Sequence, residues 1–525
     1  MAWRAVASEL ELDRSGRAVV RVDGRQVLVL RTERGLYACN NRCPHEGYPL
    51  REGSLSDGCV LTCNWHNWKF DLATGETLVG GDKLSRYAVK AEDGRIWLDW
   101  REPDPIALRD KAMGDLEAAL VDEDYGRIAR ELARLERHGG DPLAGMSRAV
   151  LWSHDRFEFG MTHAYAAAAD WLDLRARASG DPVRQLAALV EAIAHVAEDA
   201  DESRTYPFAA RTRAWSEADF LAAIETENET AAVALLRGAL ADGISSAALR
   251  RAFAKAALAH YQDFGHAAIY TVKAVALAER LEPQAAGAVL LSLTRSLVYA
   301  SREDLLPEFR SYCEALARWG AKNGDAAPSL RADEVLDRPA KAAMGVVAAW
   351  SSRHASEAIY PVLLEAAARS MLQFDLTYER RTDGPIADNV GWLDFTHAVT
   401  FANAARHLAT ADAALWPASL LQLACFVGRN AKYVDRALDT SPWRSNDPRA
   451  FFAAATERLY DHGVGEFIVS AHLVKTTLAA AAEAVAVPGA APVRAAAIGR
   501  WRDSAPKRRH ALRTARQMRD FVAEE

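Results

Sequence analysis

Cysteine is scarce in this sequence, with six residues in a chain of 525. Four of them, Cys39, Cys59, Cys313 and Cys425, are scattered along the chain rather than regularly spaced. Small secreted domains that depend on disulfides are much denser in cysteine. The scarcity argues against a disulfide framework and indicates a reducing compartment, so we expect a cytoplasmic protein.

Long apolar runs, a leader segment and an excess of positive charge are also missing. No run approaches the roughly 18 apolar residues that a membrane helix needs. The N-terminus soon turns polar, which does not fit a signal peptide. A net charge of -7 argues against a nucleic-acid partner. We therefore expect neither a membrane nor a nucleic acid among the partners.

The chain changes character near residue 102. Residues 1–102 contain β-branched runs separated by turn signals such as Asp93-Gly94. Residues 110–525 are rich in alanine, leucine, glutamate and arginine, with apolar residues spaced three to four apart. The sequence therefore predicts a multi-domain α+β protein: a small antiparallel β domain (1–102), a linker (103–109) and a large all-α domain (110–525). Its first helix is predicted from Asp110 to His138.

Two cysteine-plus-histidine pairs stand in the β domain. The first is Cys43 with His45, and the second is Cys63 with His66. One iron of a Rieske [2Fe-2S] cluster takes two thiolates and the other takes two imidazoles. Structural zinc is the alternative, but its usual spacings pair cysteine with cysteine and histidine with histidine. The pattern favours the cluster, with these four residues as its ligands.

The segment from Cys43 to Glu76 resembles the Rieske domains of bacterial ring-hydroxylating oxygenases and Rieske-type ferredoxins. It has their C-P-x-H and C-x-W-H-x-W boxes. The resemblance implies a small β domain with a [2Fe-2S] cofactor that transfers single electrons. It departs from the respiratory cytochrome bc type, which has an extra cysteine beside each box.

Motifs for direct use of a nucleotide cofactor are missing. The sequence has no G-x-G-x-x-G fingerprint, no phosphate loop and no nucleophile elbow. The chain is therefore not expected to take hydride from NAD(P)H itself. We expect a separate NAD(P)H-dependent reductase or a ferredoxin as the electron donor.

A histidine stands near the start of an alanine-rich helix in four segments of the predicted all-α domain. In each segment a proline and then a second helix follow. The pattern predicts a helical hairpin that is used four times, whose copies must pack together to bury their apolar faces. The four histidines are His163, His266, His397 and His472.

Two of these histidines have an aspartate three residues earlier, Asp263 before His266 and Asp394 before His397. Residues i and i+3 of a helix lie on one face, so each pair can grip one metal ion, as in carboxylate-bridged di-iron bundles. In the other two copies the nearest preceding carboxylate stands further from the histidine, five or six residues earlier in the sequence. The alternative is an aspartate that caps the helix and a buried, hydrogen-bonded histidine without metal. The more distant carboxylates are Glu158 and Glu466.

Ring-hydroxylating oxygenases bind mononuclear iron through two histidines and one carboxylate, but their D-x-x-H-x-x-x-(x)-H signature is missing here. Residues 150–500 instead resemble the questin-oxidase-like proteins, through the helix starts His266-Ala267 and His397-Ala398 and the alanine-rich helices behind them. That resemblance implies a helical enzyme for the O2-dependent oxidation of quinones.

These observations predict an O2-dependent oxygenase or oxidase. Electrons pass from the [2Fe-2S] cluster to mononuclear or dinuclear non-haem iron in the all-α domain, where O2 oxidises a small organic, aromatic or quinone-like substrate. Two alternatives stay open. The chain can be a redox sensor or electron-transfer adaptor with a helical binding scaffold. The substrate can also react with O2 without metal.

Overall fold

The chain forms two compact units in the computed structural model. The β unit comprises Met1–Ala118 with Arg134–Gly140, and the helical unit comprises Ala119–Ala133 with Asp141–Glu525. An N-terminal antiparallel domain followed by a large helical region confirms the predicted fold class. The structure describes residues 3–101, 104–321, 329–381, 383–386, 389–504 and 511–524.

The β unit is built from three small antiparallel sheets. Their strand orders are β1-β11-β10, β2-β3-β4-β9 and β5-β6-β7-β8. One short helix, α1 (Glu9–Ser15), lies between the first two strands. The strands are β1 (Trp3–Ser8), β2 (Arg17–Val22), β3 (Arg25–Thr32), β4 (Gly35–Asn40), β5 (Ser54–Ser56), β6 (Val60–Thr62), β7 (Lys69–Asp71), β8 (Thr77–Val79), β9 (Arg86–Tyr87), β10 (Val89–Glu92) and β11 (Arg95–Asp99).

Strand β3 contributes to two apolar cores, one on each face of the middle sheet. Val27 and Val29 join the core that contains Ile96 of β11. Leu28 and Leu30 join the other core, which contains Phe70 of β7 and both Cys43 and Cys63. Because successive side chains of a strand point to opposite faces, a run of four apolar residues here serves both neighbouring sheets.

Helices joined by loops make up most of the described residues after Asp104. The helices are α2 (Pro105–Val121), α3 (Tyr125–Arg137), α4 (Leu143–Ser153), α5 (His163–Arg177), α6 (Pro182–Asp199), α7 (Glu217–Glu225), α8 (Glu229–Ala241), α9 (Ser246–Leu258), α10 (His266–Ala278), α11 (Pro283–Val298), α12 (Tyr312–Ala317), α13 (Asp333–Leu336), α14 (Ala340–Ser351), α15 (Ser356–Leu372), α16 (Leu376–Arg380), α17 (Trp392–Ala411), α18 (Trp416–Asn430), α19 (Pro448–Glu457), α20 (Phe467–Ala486), α21 (Ala491–Asp503) and α22 (Ala511–Glu524).

Four of these helices form a closed ring of neighbours in the helical unit. Helix α5 packs against α10, α10 against α17, α17 against α20, and α20 against α5. Each ring helix also packs against the helix that follows it, as α5 does against α6. Prolines begin or nearly begin the following helices, where their missing N–H costs nothing. Whether the four pairs are copies of one repeat stays a prediction.

The single helix predicted from Asp110 to His138 is wrong, because the structure has two helices, α2 and α3, in this segment. The chain turns between them, where Glu123 has a left-handed φ of 49°. A left-handed residue cannot continue a right-handed helix. The predicted linker 103–109 overlaps α2, which begins at Pro105, while residues 102 and 103 lie outside the described residues. The domain boundaries themselves stay predictions.

Helix α20 is long and apolar enough, by length and composition, to cross a membrane, and among the described residues it is the one such helix. No membrane-spanning helix was predicted from the sequence. In the structure 72% of its most apolar window is buried inside the protein. That burial is typical of a core helix in a helical bundle.

A buried carboxylate joins two helices of the ring to a third helix, α15. Glu483 of α20 is fully buried, and its carboxylate accepts hydrogen bonds from Tyr360 Oη at 2.9 Å and Asn403 Nδ2 at 2.7 Å. Arg406 Nε of α17 donates to the same carboxylate at 2.8 Å. A buried charge is tolerated only when it is paired and hydrogen-bonded in this way.

We expect Glu483→Ala to lower the free energy of unfolding by about 3 kcal/mol, because Arg406, whose side chain is 22% exposed, would keep a largely buried charge without its partner. Denaturant unfolding followed by far-ultraviolet circular dichroism measures the change. Glu365→Ala is the control, since the Glu365 side chain is 44% exposed and, among the described residues, its ion pair is with Arg369 at 3.6 Å. The free energy of unfolding of Glu365→Ala should differ from that of the wild type by no more than about 0.5 kcal/mol. An equal loss of unfolding free energy in both variants would contradict the prediction.

Candidate metal centres

Two loops of the β unit carry the cysteine and histidine pairs, and the loops share one hydrogen-bond pattern. Cys43 N–H donates to Tyr48 O at 2.9 Å, and Cys63 N–H donates to Trp68 O at 2.8 Å. In both cases the cysteine bonds the carbonyl five residues further along the chain. The loops therefore present their cysteines in equivalent backbone settings.

Each loop also closes with a left-handed residue four positions after its cysteine. Gly47 has a φ of 75° and donates its N–H to Cys43 O at 2.8 Å. Asn67 has a φ of 60° and donates to Cys63 O at 2.9 Å. Glycine and asparagine are the residues that most readily adopt this conformation, so the loop sequences fit the tight turn.

The two histidines of these loops lie against each other and against tryptophans. The ring centroids of His45 and His66 are 4.7 Å apart. Trp68 stacks on His45 with a centroid distance of 4.6 Å, and Trp65 stacks on His66 at the same distance. The indoles cover the imidazole faces, which limits how the rings can turn.

The thiols of Cys43 and Cys63 meet in the buried part of the same loops. Both residues are buried, and a side-chain hydrogen bond joins them. Burial is the main reason that the pKa of the Cys43 thiol rises to about 11. All six cysteines of the chain are free thiols, so no disulfide restrains the loops.

In the helical unit, the ring of α5, α10, α17 and α20 brings four histidines together. His163 and His266 are the first residues of α5 and α10. His397 and His472 are the sixth residues of α17 and α20. The four imidazoles, predicted from the sequence as a group, therefore lie side by side in the ring, and their role as metal ligands stays a prediction.

The distances between the ring nitrogens are short enough for two imidazoles to share one metal ion or one proton. His163 Nε2 and His266 Nε2 are 3.1 Å apart, and His266 Nε2 and His397 Nε2 are 2.9 Å apart. The ring of His472 lies 4.8 Å from that of His163 and 5.1 Å from that of His397, centroid to centroid. Metal–nitrogen bonds of ~2.1 Å at right angles would put two nitrogens ~3.0 Å apart.

The outer nitrogens of the four rings are held by other groups. His397 Nδ1 lies 2.6 Å from Leu393 O, and His472 Nδ1 lies 2.6 Å from Ile468 O. Each carbonyl belongs to the residue four positions earlier in the same helix. Since a carbonyl only accepts hydrogen bonds, both Nδ1 atoms carry the hydrogen, and each Nε2 presents a lone pair.

His266 and His163 begin their helices and so have no helical residue four positions earlier. The backbone of Asp263 accepts a hydrogen bond from His266. The Asp263 carboxylate also lies 3.8 Å from His266 Nδ1. Tyr270 Oη lies 3.2 Å from His163 Nδ1. Metal-binding histidines are usually oriented in this way, by a hydrogen bond from the second ring nitrogen.

Burial lowers the pKa of all four imidazoles and is the largest cause for each. For His266 the pKa falls to about 3. Lys475, one turn after His472, contributes to the lowering, and burial lowers its own pKa to about 7. The imidazoles are therefore neutral near pH 7, the form that binds metal ions.

We call the ring nitrogens of His163, His266, His397 and His472 together the nitrogen centre. The aspartates predicted as metal ligands do not join it. The group of possible ligand atoms within 4.8 Å of one another contains His163, His266 and His397, without Asp263, Asp394 or His472; His472 is linked to it by the contacts of its ring with His163 and His397. The Asp394 carboxylate accepts from Gly391 N at 2.9 Å and caps α17, which is the alternative that the sequence left open.

For Asp263 the physical reason is the backbone. Asp263, Phe264 and Gly265 all have positive φ, of 51°, 52° and 78°, so the helix cannot begin before His266. The i, i+3 geometry of a helix is absent there, and the carboxylate stays on the Nδ1 side of His266. The more distant candidates Glu158 and Glu466 are exposed and lie outside the group.

Two residues beside the centre were not predicted. Tyr270 lies one turn after His266, and Lys475 lies one turn after His472. Both are buried. A polar residue at i+3 or i+4 shares the face of the histidine before it, so a search of that face in these alanine-rich helices would have found them.

The β unit is similar to proteins of known family. Residues 2–83 match the model of the Rieske [2Fe-2S] domain family. The ferredoxin subunit of a 3-phenylpropionate/cinnamic acid dioxygenase from Shigella flexneri is 37% identical over 89 residues, which are 16% of this chain and 84% of that protein.

The N-terminal domain belongs to the Rieske [2Fe-2S] family.

Two further relatives match a similarly small share of the chain. A 4beta-methylsterol monooxygenase from Methylococcus capsulatus is 36% identical over 91 residues, which are 15% of this chain and 24% of that protein. The solved ferredoxin of carbazole 1,9a-dioxygenase from Nocardioides aromaticivorans has 25% identity and a TM-score of 0.18, and covers 19% of this chain and 100% of that one. The chain thus spans about a quarter of the length of the monooxygenase.

The residues of the Rieske domain fit a [2Fe-2S] cluster. Two buried thiols meet, two imidazoles lie in contact, and this donor set is the one such a cluster takes. Cys43, Cys63, His45 and His66 would hold it, as predicted. The cluster, when bound, supplies one-electron transfer. The stacked tryptophans keep the histidine rings in place.

We expect Gly80→Ala to disturb the cluster site. A Cβ on Gly80 would lie 2.3 Å from Trp68 Cδ2, so the indole must leave its stack on His45. Loss of such a supporting contact should reduce cluster retention about tenfold or more, measured as iron and acid-labile sulfide per chain. Gly94→Ala is the control, because Gly94 also has positive φ but a Cβ there would meet nothing within 4 Å. Full cluster content in Gly80→Ala would refute the expectation.

We also expect the metal-free protein to lose stability as the pH falls from 7 to 5. His266 has a pKa of about 3 when folded and about 6.5 when unfolded. Over this interval the unfolded chain binds a proton that the folded chain does not, so unfolding becomes easier by about 2 kcal/mol for this residue. Denaturant unfolding at the two pH values measures the loss, which should be smaller in His266→Ala and unchanged in His354→Ala. An equal loss in wild type and His266→Ala would contradict this.

Proposed function

We propose that the chain is an oxidoreductase in which Rieske electron transfer serves a non-haem iron centre in the helical unit, and that it uses O2 to oxidise a small organic substrate. The observation that carries the proposal is the clustering of four neutral imidazoles, two of them buried and two partly buried, with His266 Nε2 within 3.1 Å of two others. Such nitrogens repel one another unless a proton or a cation lies between them.

The presence of a Rieske domain in the same chain favours iron over other metals at the nitrogen centre. Imidazole nitrogen suits zinc, copper, iron and nickel alike, so the ligands alone do not choose. A Rieske domain transfers single electrons, which zinc cannot accept. A redox-active metal in the helical unit gives those electrons a destination, and iron held there would supply the binding and reduction of O2.

The protein's own groups would prepare this site. The carbonyls of Leu393 and Ile468 keep Nδ1–H on His397 and His472, so that Nε2 faces the centre. Phe264 packs its ring 5.0 Å from that of His397, which helps to exclude water. The amine of Lys475, partly neutral near pH 7, adds a group that can bind or release a proton beside the site.

Separate observations support the proposed electron donor and the proposed substrate. Because the sequence has no nucleotide-binding fingerprint, a separate NAD(P)H-dependent reductase or ferredoxin would load the cluster. The ferredoxin subunits among the relatives belong to multi-component dioxygenases, which supports an external electron donor. The resemblance of residues 150–500 to questin-oxidase-like proteins supports an aromatic or quinone-like substrate. We further propose that the protein works in the cytoplasm.

Iron analysis of the full-length protein tests the proposal. The wild type should contain about three iron atoms per chain, two from the cluster and at least one at the nitrogen centre. His397→Ala should lose the additional iron, since one ligand is removed, and should keep the Rieske electron paramagnetic resonance signal. O2 consumption with reductase and quinone-like substrates should fall with it.

His195→Ala is the matched control, because His195 is also buried in the helical unit but its ring lies against Phe467, outside the centre. It should keep the additional iron. A wild type with two iron atoms and no other metal would refute the iron centre. In that case substrate-dependent O2 uptake would favour metal-free oxidation, and its absence would favour a redox sensor or adaptor.

A further inference from the structure

A second group of metal-ligand side chains lies elsewhere in the helical unit. His260 follows α9, Asp304 lies in the 3₁₀ turn Glu303–Leu305, and Cys313 is the second residue of α12. Their ligand atoms all lie within 4.8 Å of one another. They meet at one oxygen: Asp304 Oδ2 is 2.9 Å from His260 Nδ1 and 3.7 Å from Cys313 Sγ.

The other nitrogen of His260 is already held as in a metal site. His260 Nε2 lies 2.8 Å from Glu225 Oε2. A carboxylate that accepts from the far nitrogen of a ligating histidine is the usual outer partner in zinc sites. Glu225 therefore orients the ring, and Nδ1 faces Asp304 and Cys313.

The backbone that carries these side chains is also fixed. Gln422 is buried and donates from Nε2 to His260 O at 2.8 Å and to Tyr312 Oη at 3.1 Å. Tyr312 precedes Cys313 and donates to Leu258 O at 2.9 Å. The two ligand-bearing segments are thus tied to each other before any ion binds, which is what a preorganised site needs.

From this geometry we propose that His260, Asp304 and Cys313 form a binding site for Zn²⁺, with Glu225 as the outer partner of His260. A thiolate, an imidazole and a carboxylate are the ligand types of zinc, and three protein ligands leave one position for water. Tetrahedral bonds of ~2.0–2.3 Å place ligand atoms ~3.3–3.6 Å apart, close to the separations at Asp304 Oδ2.

Two carboxylates and one guanidinium surround His260. Asp304 Oδ2 lies 2.9 Å from His260 Nδ1, and Glu225 Oε2 lies 2.8 Å from His260 Nε2. Arg302 lies 3.4 Å from Glu225 and 3.7 Å from Asp304. Zn²⁺ binds thiolate sulfur and neutral imidazole nitrogen, so its binding releases the proton of the Cys313 thiol and any proton on His260 Nδ1.

The proposed zinc site is accessible to solvent, and it lies next to the segment that precedes His266. A cavity of about 320 Å³ reaches His260, and Cys313 is exposed. His260 opens the segment whose left-handed turn leads into His266, and Asp304 N–H donates to Tyr261 O at 3.1 Å. Zinc would therefore fasten the segment that positions a ligand of the nitrogen centre, although the proposal does not depend on iron there.

Zinc binding to the full-length, cluster-loaded protein tests this. After equilibration with zinc sulfate and removal of free metal, the wild type should hold one zinc per chain more than Cys313→Ser, measured by elemental analysis. Cys425→Ala, a buried cysteine outside the site, should match the wild type. Equal zinc in wild type and Cys313→Ser would overturn the site, and because the measurement compares variants, zinc at the nitrogen centre cancels.

The outer carboxylate gives an independent test. Glu225→Gln should weaken zinc binding about 10- to 100-fold, whereas Glu227→Gln, which alters another wall residue of the same cavity, should not. Zinc should also slow the alkylation of Cys313, followed by peptide mass spectrometry, in the wild type and not in His260→Ala. Alkylation at one rate with and without zinc would refute the proposal even if a variant folds poorly.

Discussion

A buried imidazole has two nitrogens to satisfy, and the partner of Nδ1 decides what Nε2 can do. In the helical unit a carbonyl one turn back holds Nδ1 of His397 and of His472. The hydrogen bond offsets part of the cost of burial and fixes the tautomer. It leaves Nε2 lone pairs at the middle of the bundle, and the centre depends on that arrangement.

The two units hold their proposed metals by different means. In the Rieske domain two short loops with one hydrogen-bond pattern each supply a thiol and an imidazole, and tryptophans cover the rings. In the helical unit each of four long helices supplies one imidazole. A loop can place two ligands within a few residues, whereas a helix that crosses a bundle presents one residue at a given depth. The cluster site in the loops can therefore be recognised as a sequence motif, whereas the histidine site in the helical unit cannot.

This difference explains how much could be predicted. The cluster ligands followed from Cys43-x-His45 and from Cys63 with His66, because neighbours in the sequence are neighbours in the loop. The four histidines of the bundle were predicted as a group only through their similar helix starts. The predicted carboxylate ligands lie outside the group of nitrogens: Asp394 caps its helix, and the chain turns left-handed before His266, where the i, i+3 geometry of a helix does not hold for Asp263. Their role as ligands stays a prediction.

Composition, spacing and periodicity are local properties of the chain, and they were enough to predict the Rieske domain, the helical character of the remainder and the group of four histidines. The packing of the helices was needed to show that the four imidazoles lie together, that Asp394 caps a helix, and that Tyr270 and Lys475 lie beside the centre. It also brought His260, Asp304 and Cys313 together from three separate elements. These contacts depend on how helices pack, and packing is set by the shapes of many side chains at once.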